Sequence, residues 1–471
     1  TPERRKSFNA SEERIMNNST AKTYSKAFLW RQRIGFGISD YACNLAYLMV
    51  NTYLLIFYTD VAGIAPAAAS FMFLITKFID AGTDYLVGSL VDRTKSKMGR
   101  NRPWMLAGAP VLAIGMVLVF TSPDWSAGGK LAWAYITYII FSFGYTLVNI
   151  PMGSILPALS ADPVERTKIV TSRTIFSNLG SLTSASMALW LIARLGHGDQ
   201  ALGYRNTNIV FGIIVFVIMV ICVASIREIN PAPDVKKTSI LKDLTYLVNN
   251  KPYMLMLAYT FFLFVAYLGM FAASAYYFKY VVGNEMANSA AITIATVTPI
   301  ISMLLAAQLN KWITKRNLSI MGAVIQIVGF LIIWIGGTSA MVAYVGMGVM
   351  GFGMGFRQNM FFSMLADTVD YGEWKNGKSL AGTQTAISGF VNKVASAAAT
   401  GVVGLLLSWG GYDGAAAVQT ASANTAITIA FIAVPIICNI CSIVVMLFYD
   451  LDKNYDKIKK EIDERRASVN A

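Results

Sequence analysis

The stretch FIDAGTDYLVG, residues 78–88, sets two carboxylates, Asp80 and Asp84, one helical turn apart inside a run that otherwise reads as a membrane helix. An apolar run of about 18 or more residues is long enough to cross a hydrocarbon core of about 30 Å. Such runs recur near 34–60, 64–91, 103–122, 131–157, 170–195, 208–226, 253–281, 288–310, 319–337, 340–366, 379–408 and 421–449. The pattern predicts an all-α membrane protein with twelve transmembrane helices. Composition agrees: the 471 residues are 55% hydrophobic and only 14% charged, with a mean hydropathy of +0.52, unlike the balance of a soluble domain.

The net charge of +13 is distributed as a topology signal and not as a nucleic-acid patch. The connection DRTKSKMGRNRP (92–103) holds Arg93, Lys95, Lys97, Arg100 and Arg102, and the segment 227–251 holds Arg227, Lys236, Lys237, Lys242 and Lys251. The alternate connections TSPDWSAGGK (121–130) and LGHGDQALGYRNTN (195–208) are poor in basic residues. By the positive-inside rule the basic loops and both termini lie in the cytoplasm. The expected surroundings are therefore a lipid bilayer, with no nucleic-acid partner. Residues 1–32 are polar, without the apolar core of a signal peptide, and are expected as a disordered cytoplasmic leader. Cys43, Cys222, Cys438 and Cys441 fall in apolar runs without metal or disulfide spacing and read as small apolar fillers, while His197 lies in an outer loop.

The basic segment 228–251 divides the spans six and six, which predicts two six-helix bundles, 33–227 and 252–449, joined by a cytoplasmic linker. Ala-Asp-x-Val recurs at 161–164 and 366–369, as two related halves about an axis along the membrane normal would produce. The tail 450–471, DLDKNYDKIKKEIDERR onward, has apolar residues at helical spacing among charges and reads as a cytoplasmic helix.

A charge in hydrocarbon costs at least about 2.5–3.5 kcal/mol, so one that persists there faces a cavity, has a partner and marks a pathway. Asp80 and Asp84 share a helix face, about 6 Å apart; burial disfavours charging both, so the pair invites a proton or a metal ion. Thr146 and Asn149 from the fourth span supply oxygens that would suit Na⁺; a carboxyl that changes charge would suit H⁺. Asp40 with Asn44 in the first span, Arg173 in the fifth, Arg357 and Gln358 in the tenth and Lys393 in the eleventh offer donors and acceptors from both halves. A polyhydroxylated ligand needs such a wall, because each hydroxyl both donates and accepts. Tyr145, next to Thr146 and Asn149, has two readings, stacking on a sugar ring or packing in the core. The run GFGMGF (351–356) has no strand before it and reads as a close helix contact.

The segments FYTDVAGI (57–64), FIDAGTDYLVGSLVDRTKSKMGRNRPW (78–104), YTLVNIPMGS (145–154) and LADTVDYGEWKNGK (365–378), with the basic tail, resemble the glycoside-pentoside-hexuronide:cation symporters of the major facilitator superfamily over residues 33–466. YTDVAGIAPAAA and TSPDWSAGGKLAWAYITY are most similar to the bacterial glucuronide permease branch. The resemblance implies a secondary transporter of the bacterial inner membrane that imports a sugar with H⁺ or Na⁺ by alternating access. It puts the family's cation site on Asp80, Asp84 and Thr146, and the sugar-binding charges on Asp40, Arg173 and Lys393. Compared with melibiose permease, the acid shared by sugar and cation is Asn149, the two tryptophans are Gly153 and Gln358, and the lysine before the first-span aspartate is Ser39.

The missing acid tilts coupling towards H⁺ and leaves Na⁺ open at Asp80 and Asp84. Asn149 together with Arg357 makes the expected cavity more positive, which favours an acidic glycoside such as a glucuronide, since a guanidinium binds a carboxylate bidentately. A neutral pentoside or glycoside is the alternative. A lysolipid transporter would need an apolar cavity, and an enzyme would need a Cys/His, Ser/His or metal cluster that the spans lack. No cofactor is expected, and the protein is expected to act as a monomer. The DYGEWKNGK loop and loop 92–103 are expected to form charged contacts that lock the outward-facing state.

Overall fold

With no water inside a bilayer, each spanning backbone must satisfy its own N–H and C=O groups, and the apolar runs fold as helices for that reason. The computed structural model describes residues 24–160, 163–229, 246–376 and 381–470, and no strand occurs among them. The long helices are α1 Lys26–Ile56, α2 Pro66–Arg93, α3 Arg102–Val119, α4 Ala127–Ser154, α5 Pro163–Gly196 and α6 Gln200–Ser225. They are followed by α7 Lys251–Tyr276, α8 Met286–Leu309, α9 Lys315–Gly336, α10 Ala340–Asn376 and α11 Ala381–Trp409. Helix α12 runs from Ala421–Thr428 through a π turn at Ile429–Ala433 into Val434–Leu447, and α13 is Leu451–Asn470. Among the described residues, 11 helices are long and apolar enough to cross a membrane. Helix α2, which carries Lys77, Asp80 and Asp84, is itself 28 residues long.

Two expected connections are partly helical. Asp199 caps α6 by accepting the N–H of Leu202 at 3.2 Å, so the second half of 195–208 belongs to the helix. Likewise α10 runs on to Asn376, making DYGEWKN its last turns and not a loop. Residues 1–23 of the leader, 230–245 of the linker, Ala161 and Asp162 of the repeated motif, and Gly377 and Lys378 lie outside the described residues.

The packing has an internal rhythm. In the first half α1 packs on α5 and α6, α3 on α4 and α6, and α2 on α4; in the second half α7 packs on α11 and α12, α9 on α10 and α12, and α8 on α10. Each pairing recurs six helices later. The contacts between the halves obey the same exchange, since α2 meets α11, α8 meets α5, and α1 meets its own counterpart α7. The tail helix α13 lies along α10, burying Ile458 and Ile462.

Helix α1 starts beside the close of α6, where Gln32 donates to the Arg227 carbonyl at 2.9 Å, and this end of the molecule, which the tail helix α13 shares, is termed the inner end. Polar contacts described there stay within a half. Glu228 accepts the backbone N–H groups of Arg100, Asn101 and Arg102 at 3.0, 2.8 and 3.2 Å. In the second half Lys315 pairs with Asp367 at 2.5 Å, and Asp370 accepts from Tyr455 at 2.7 Å. In these contacts loop 92–103 and the end of α10 each bind their own half; the lock expected of them belongs to the outward-facing state, a different arrangement from this one. At the outer end the halves touch: Ser70 donates to the Thr400 carbonyl at 3.2 Å, and the Ala67 N–H to Ser408 at 3.1 Å.

The glycines of GFGMGF serve this packing. A Cβ on Gly353 would stand 2.5 Å from the Gly322 carbonyl oxygen of α9, and one on Gly355 2.3 Å from the Pro299 oxygen of α8. Gly355→Leu is accordingly expected to lower the thermal midpoint of the purified protein, in line with an overpacking cost of about 1–3 kcal/mol. Gly389→Leu, where nothing lies within 4 Å, serves as the control. Equal midpoints for the two variants would contradict this account.

Candidate functional site

The polar residues of the spans separate into three groups. The first joins the halves. Asp84 of α2 accepts the Thr146 hydroxyl of α4 at 2.9 Å on one oxygen and the ammonium of Lys393, from α11, on the other. One turn towards the outer end, Asp80 is built the same way: one oxygen accepts the Ser142 hydroxyl of α4, and the other lies 3.5 Å from the ammonium of Lys77. Lys77 also sits 5.6 Å above the Tyr138 ring.

Each carboxylate therefore has one hydroxyl and one ammonium, but the two ammonium groups differ in their attachment. Lys77 is on the same helix as Asp80 and stays with it, whereas Lys393 reaches Asp84 only while α2 and α11 are together. Exposure differs as well: the Asp80 side chain is 5% exposed and that of Asp84 25%.

The second group lies on the first half. Arg173 of α5 grips Asp40 of α1 with Nε on one oxygen at 2.9 Å and Nη2 on the other at 3.3 Å, and its guanidinium lies 5.9 Å from the Phe36 ring centre. Asn44 turns its amide back to the Asp40 carbonyl at 2.9 Å. Tyr145 lies 6.2 Å from the Tyr47 ring, half-buried, with Asn149 half-buried one turn on.

Arg357 forms a third group and departs from expectation. It is fully buried inside the second half, donating Nε to the Tyr259 hydroxyl at 3.2 Å, Nη2 to Ser442 at 2.9 Å, and Nη1 to Gln326 and Asn439. The Tyr259 ring lies 5.2 Å from the guanidinium, while the neighbouring Gln358 is exposed. Four of its five donors are spent on α7, α9 and α12, and the group is fully buried within the second half, away from a ligand. The physical reason is that helix α10 turns consecutive residues about 100° apart, and Arg357 falls on the face sealed by the bundle.

With Arg357 removed, the central charges are Asp40, Asp80 and Asp84 against Lys77, Arg173 and Lys393. The set is balanced, and the premise of a positive cavity falls away. The pairing of Lys393 with Asp84, 309 residues apart, has no signature in sequence. Ser142 was likewise overlooked, though it stands one turn before Thr146, as Asp80 stands before Asp84, and that matched spacing was its signal.

Two bundles related by exchange, with paired charges between them and a polar wall inside, define a secondary transporter of the major facilitator fold. The profile of the family described as MFS/sugar transport protein matches residues 35–453. The chain is 36% identical over 454 residues to the isoprimeverose transporter of Lactiplantibacillus pentosus, covering 94% of this chain and 93% of that one. It is 31% identical over 441 residues to the glucuronide carrier protein homolog of Escherichia coli (strain K12), covering 93% and 96%. Among solved structures, a bacterial homologue of the human lysosomal transporter Spinster superposes with a TM-score of 0.67 at 12% identity, covering 92% of this chain and 99% of that one, which supports the fold alone. The chain belongs to the glycoside-pentoside-hexuronide:cation symporters of the major facilitator superfamily. It is a multi-pass protein of the bacterial inner membrane.

The structural role of Arg357 is open to test. Arg357→Met orphans several buried acceptors at about 1–3 kcal/mol each, so the thermal midpoint should fall clearly while the surviving protein keeps its affinity for sugar. A large loss of sugar affinity at unchanged midpoint would return Arg357 to the binding site.

Proposed function

We propose that this protein imports a neutral glycoside together with H⁺, one proton being carried at Asp84. The single observation that carries the reading is the contact of Asp84 with Lys393 across the two halves. With α2 counted, twelve helices span the membrane in two bundles, 33–227 and 252–449, and the inner end faces the cytoplasm. When one bundle rocks against the other, Lys393 is drawn off Asp84 and an unpaired carboxylate is left in the membrane interior, where it is costly. A coupling cation on Asp84 removes that cost. The charge on Asp84 is thus neutralised either by Lys393 or by the cation, and this alternation links ion binding to reorientation.

The choice of ion follows from Lys77. A Na⁺ ion bound between Asp80 and Asp84 would lie near a tethered ammonium; two unit charges 4 Å apart repel by about 4 kcal/mol at an effective dielectric constant of 20. Na⁺ also needs several oxygens, and Asp80 already spends its own on Ser142 and Lys77. A proton on one oxygen of Asp84 needs neither concession.

The sugar is held on Asp40, Asn44, Tyr145, Asn149 and Arg173, with Lys393 joining from the second half once released. An ion pair flanked by amides suits vicinal hydroxyls, the carboxylate accepting and the guanidinium donating. Balanced charge supports a neutral glycoside over an acidic one, as does the likeness to a relative named an isoprimeverose transporter. A glucuronide is the second reading, favoured by the relative named as a glucuronide carrier homolog. The chain acts as a carrier and not as an enzyme.

Uptake of neutral and acidic glycosides, each with and without Na⁺ and at two pH values, tests the whole reading. Neutral glycosides should be accumulated under a proton gradient, independently of Na⁺; uptake of glucuronides alone, or strict Na⁺ dependence, would overturn it. In the same assay Asp84→Asn should abolish accumulation and retain sugar exchange. Unchanged accumulation in that variant would remove Asp84 from the coupling site.

A further inference from the structure

The first helix of each half ends in the same unusual way. LIFYTDVAG (55–63) and YYFKYVVG (276–283) each contain a π turn, Phe57–Val61 and Tyr277–Val281, 220 residues apart. The closing bonds match in position and length: Ala62 N–H to Phe57 O at 2.9 Å and Ile64 N–H to Tyr58 O at 2.8 Å, against Val282 to Tyr277 at 3.0 Å and Asn284 to Phe278 at 2.9 Å. Gly63 and Gly283 follow with φ of +70° and +75°, a left-handed conformation that glycine adopts without strain. These are equivalent segments of the two halves, and they meet at the outer end. π turns are uncommon and concentrate at functional positions.

What differs between the copies is their chemistry. Asp60 in the first copy corresponds to Tyr280 in the second, and Thr59 to Lys279. The Asp60 side chain, 3% exposed, accepts on one oxygen from Lys279 Nζ at 2.5 Å and the Tyr280 hydroxyl at 2.6 Å. Its other oxygen accepts from Thr59 at 2.8 Å and from the Tyr412 hydroxyl beyond α11. Thr59 also bonds the Tyr276 hydroxyl at 2.8 Å. Three of the four donors to Asp60 come from the opposite half.

Beside this cluster α1 and α8 bring polar side chains together. The Tyr53 hydroxyl of α1 adjoins the Asn288 and Ser289 side chains of α8. The charged cluster therefore holds the two halves together at this end.

We propose that Asp60, clasped by Lys279, Tyr280 and Tyr412, is the outer latch of this transporter, which holds the sugar path closed to the outside and sets how often the carrier reopens outward. The latch is separate from the sugar and cation groups, and its test needs no substrate. Ser396, buried beside Asn51, Lys77 and Tyr138 between the halves, is replaced by cysteine in a background where Cys441 is serine; Cys43, Cys222 and Cys438 are buried. Intact cells are then exposed to a membrane-impermeant maleimide, and the labelling rate reports outward opening.

Asp60→Asn and Lys279→Met should each raise the rate on the order of tenfold, the population shift that a loss of about 1.4 kcal/mol produces. The exchange of the two charges, Asp60→Lys with Lys279→Asp, should bring it back towards the parent. Gly414→Val adds an independent arm, since a Cβ there would stand 2.3 Å from the Thr59 carbonyl oxygen and wedge the latch open with its charges intact. Unchanged labelling in variants that keep the parent's thermal midpoint, or a charge exchange no slower than the single variants, would overturn the proposal. Should Asp60→Asn fail to reach the membrane, Tyr412→Phe decides: it removes one hydroxyl, and labelling must rise.

Discussion

A carboxylate and an ammonium brought together from different halves of a membrane protein are the constraint around which this molecule is organised. Neither Asp84 nor Lys393 is tolerable alone in the interior, and together they cancel. Because each belongs to a different bundle, that cancellation depends on the relative position of the bundles. A local electrostatic requirement thereby becomes a conformational one. Asp80 with Lys77 shows the contrast: the same pairing within one helix imposes nothing on the bundles, so it tunes the site without moving it.

The exchange symmetry of the fold orders the contacts between the halves. The pairings of α1 to α6 recur in α7 to α12, and the contacts between halves map onto themselves, so the bundles meet about a common axis. Near that axis the two π turns present equivalent backbones with different side chains. Two identical acids would repel there, but an acid facing a lysine and tyrosines attracts. Divergence between the copies has thus converted a symmetric contact into an adhesive one. Small residues do the rest: the glycines of α10 bring its backbone close against α8 and α9 within the second half.

Much of this was readable in the chain before folding was considered. Apolar runs marked the helices, because crossing hydrocarbon is a local, additive demand on about twenty residues. Asp40, Asp80, Asp84, Arg173 and Lys393 stood out because charge is expensive in such runs. The errors share a cause. Arg357 was assigned to the cavity because it is charged and deep, yet depth says nothing of direction. A helix in lipid can be apolar on every side, since lipid tails are as apolar as a protein core, so hydropathy does not tell which face turns to the cavity, to a neighbouring helix or to the membrane.

By itself, then, the sequence determined that the chain spans a membrane many times, which residues pay a penalty for being there, and where two carboxylates lie one turn apart. Only the tertiary structure decided which partner relieves each penalty: Lys393 for Asp84, Arg173 for Asp40, neutral side chains for Arg357, and Lys279 with two tyrosines for Asp60. The reason is physical. Helix formation is settled within each segment, whereas the relief of a buried charge depends on residues hundreds of positions away that helix packing brings within hydrogen-bond reach.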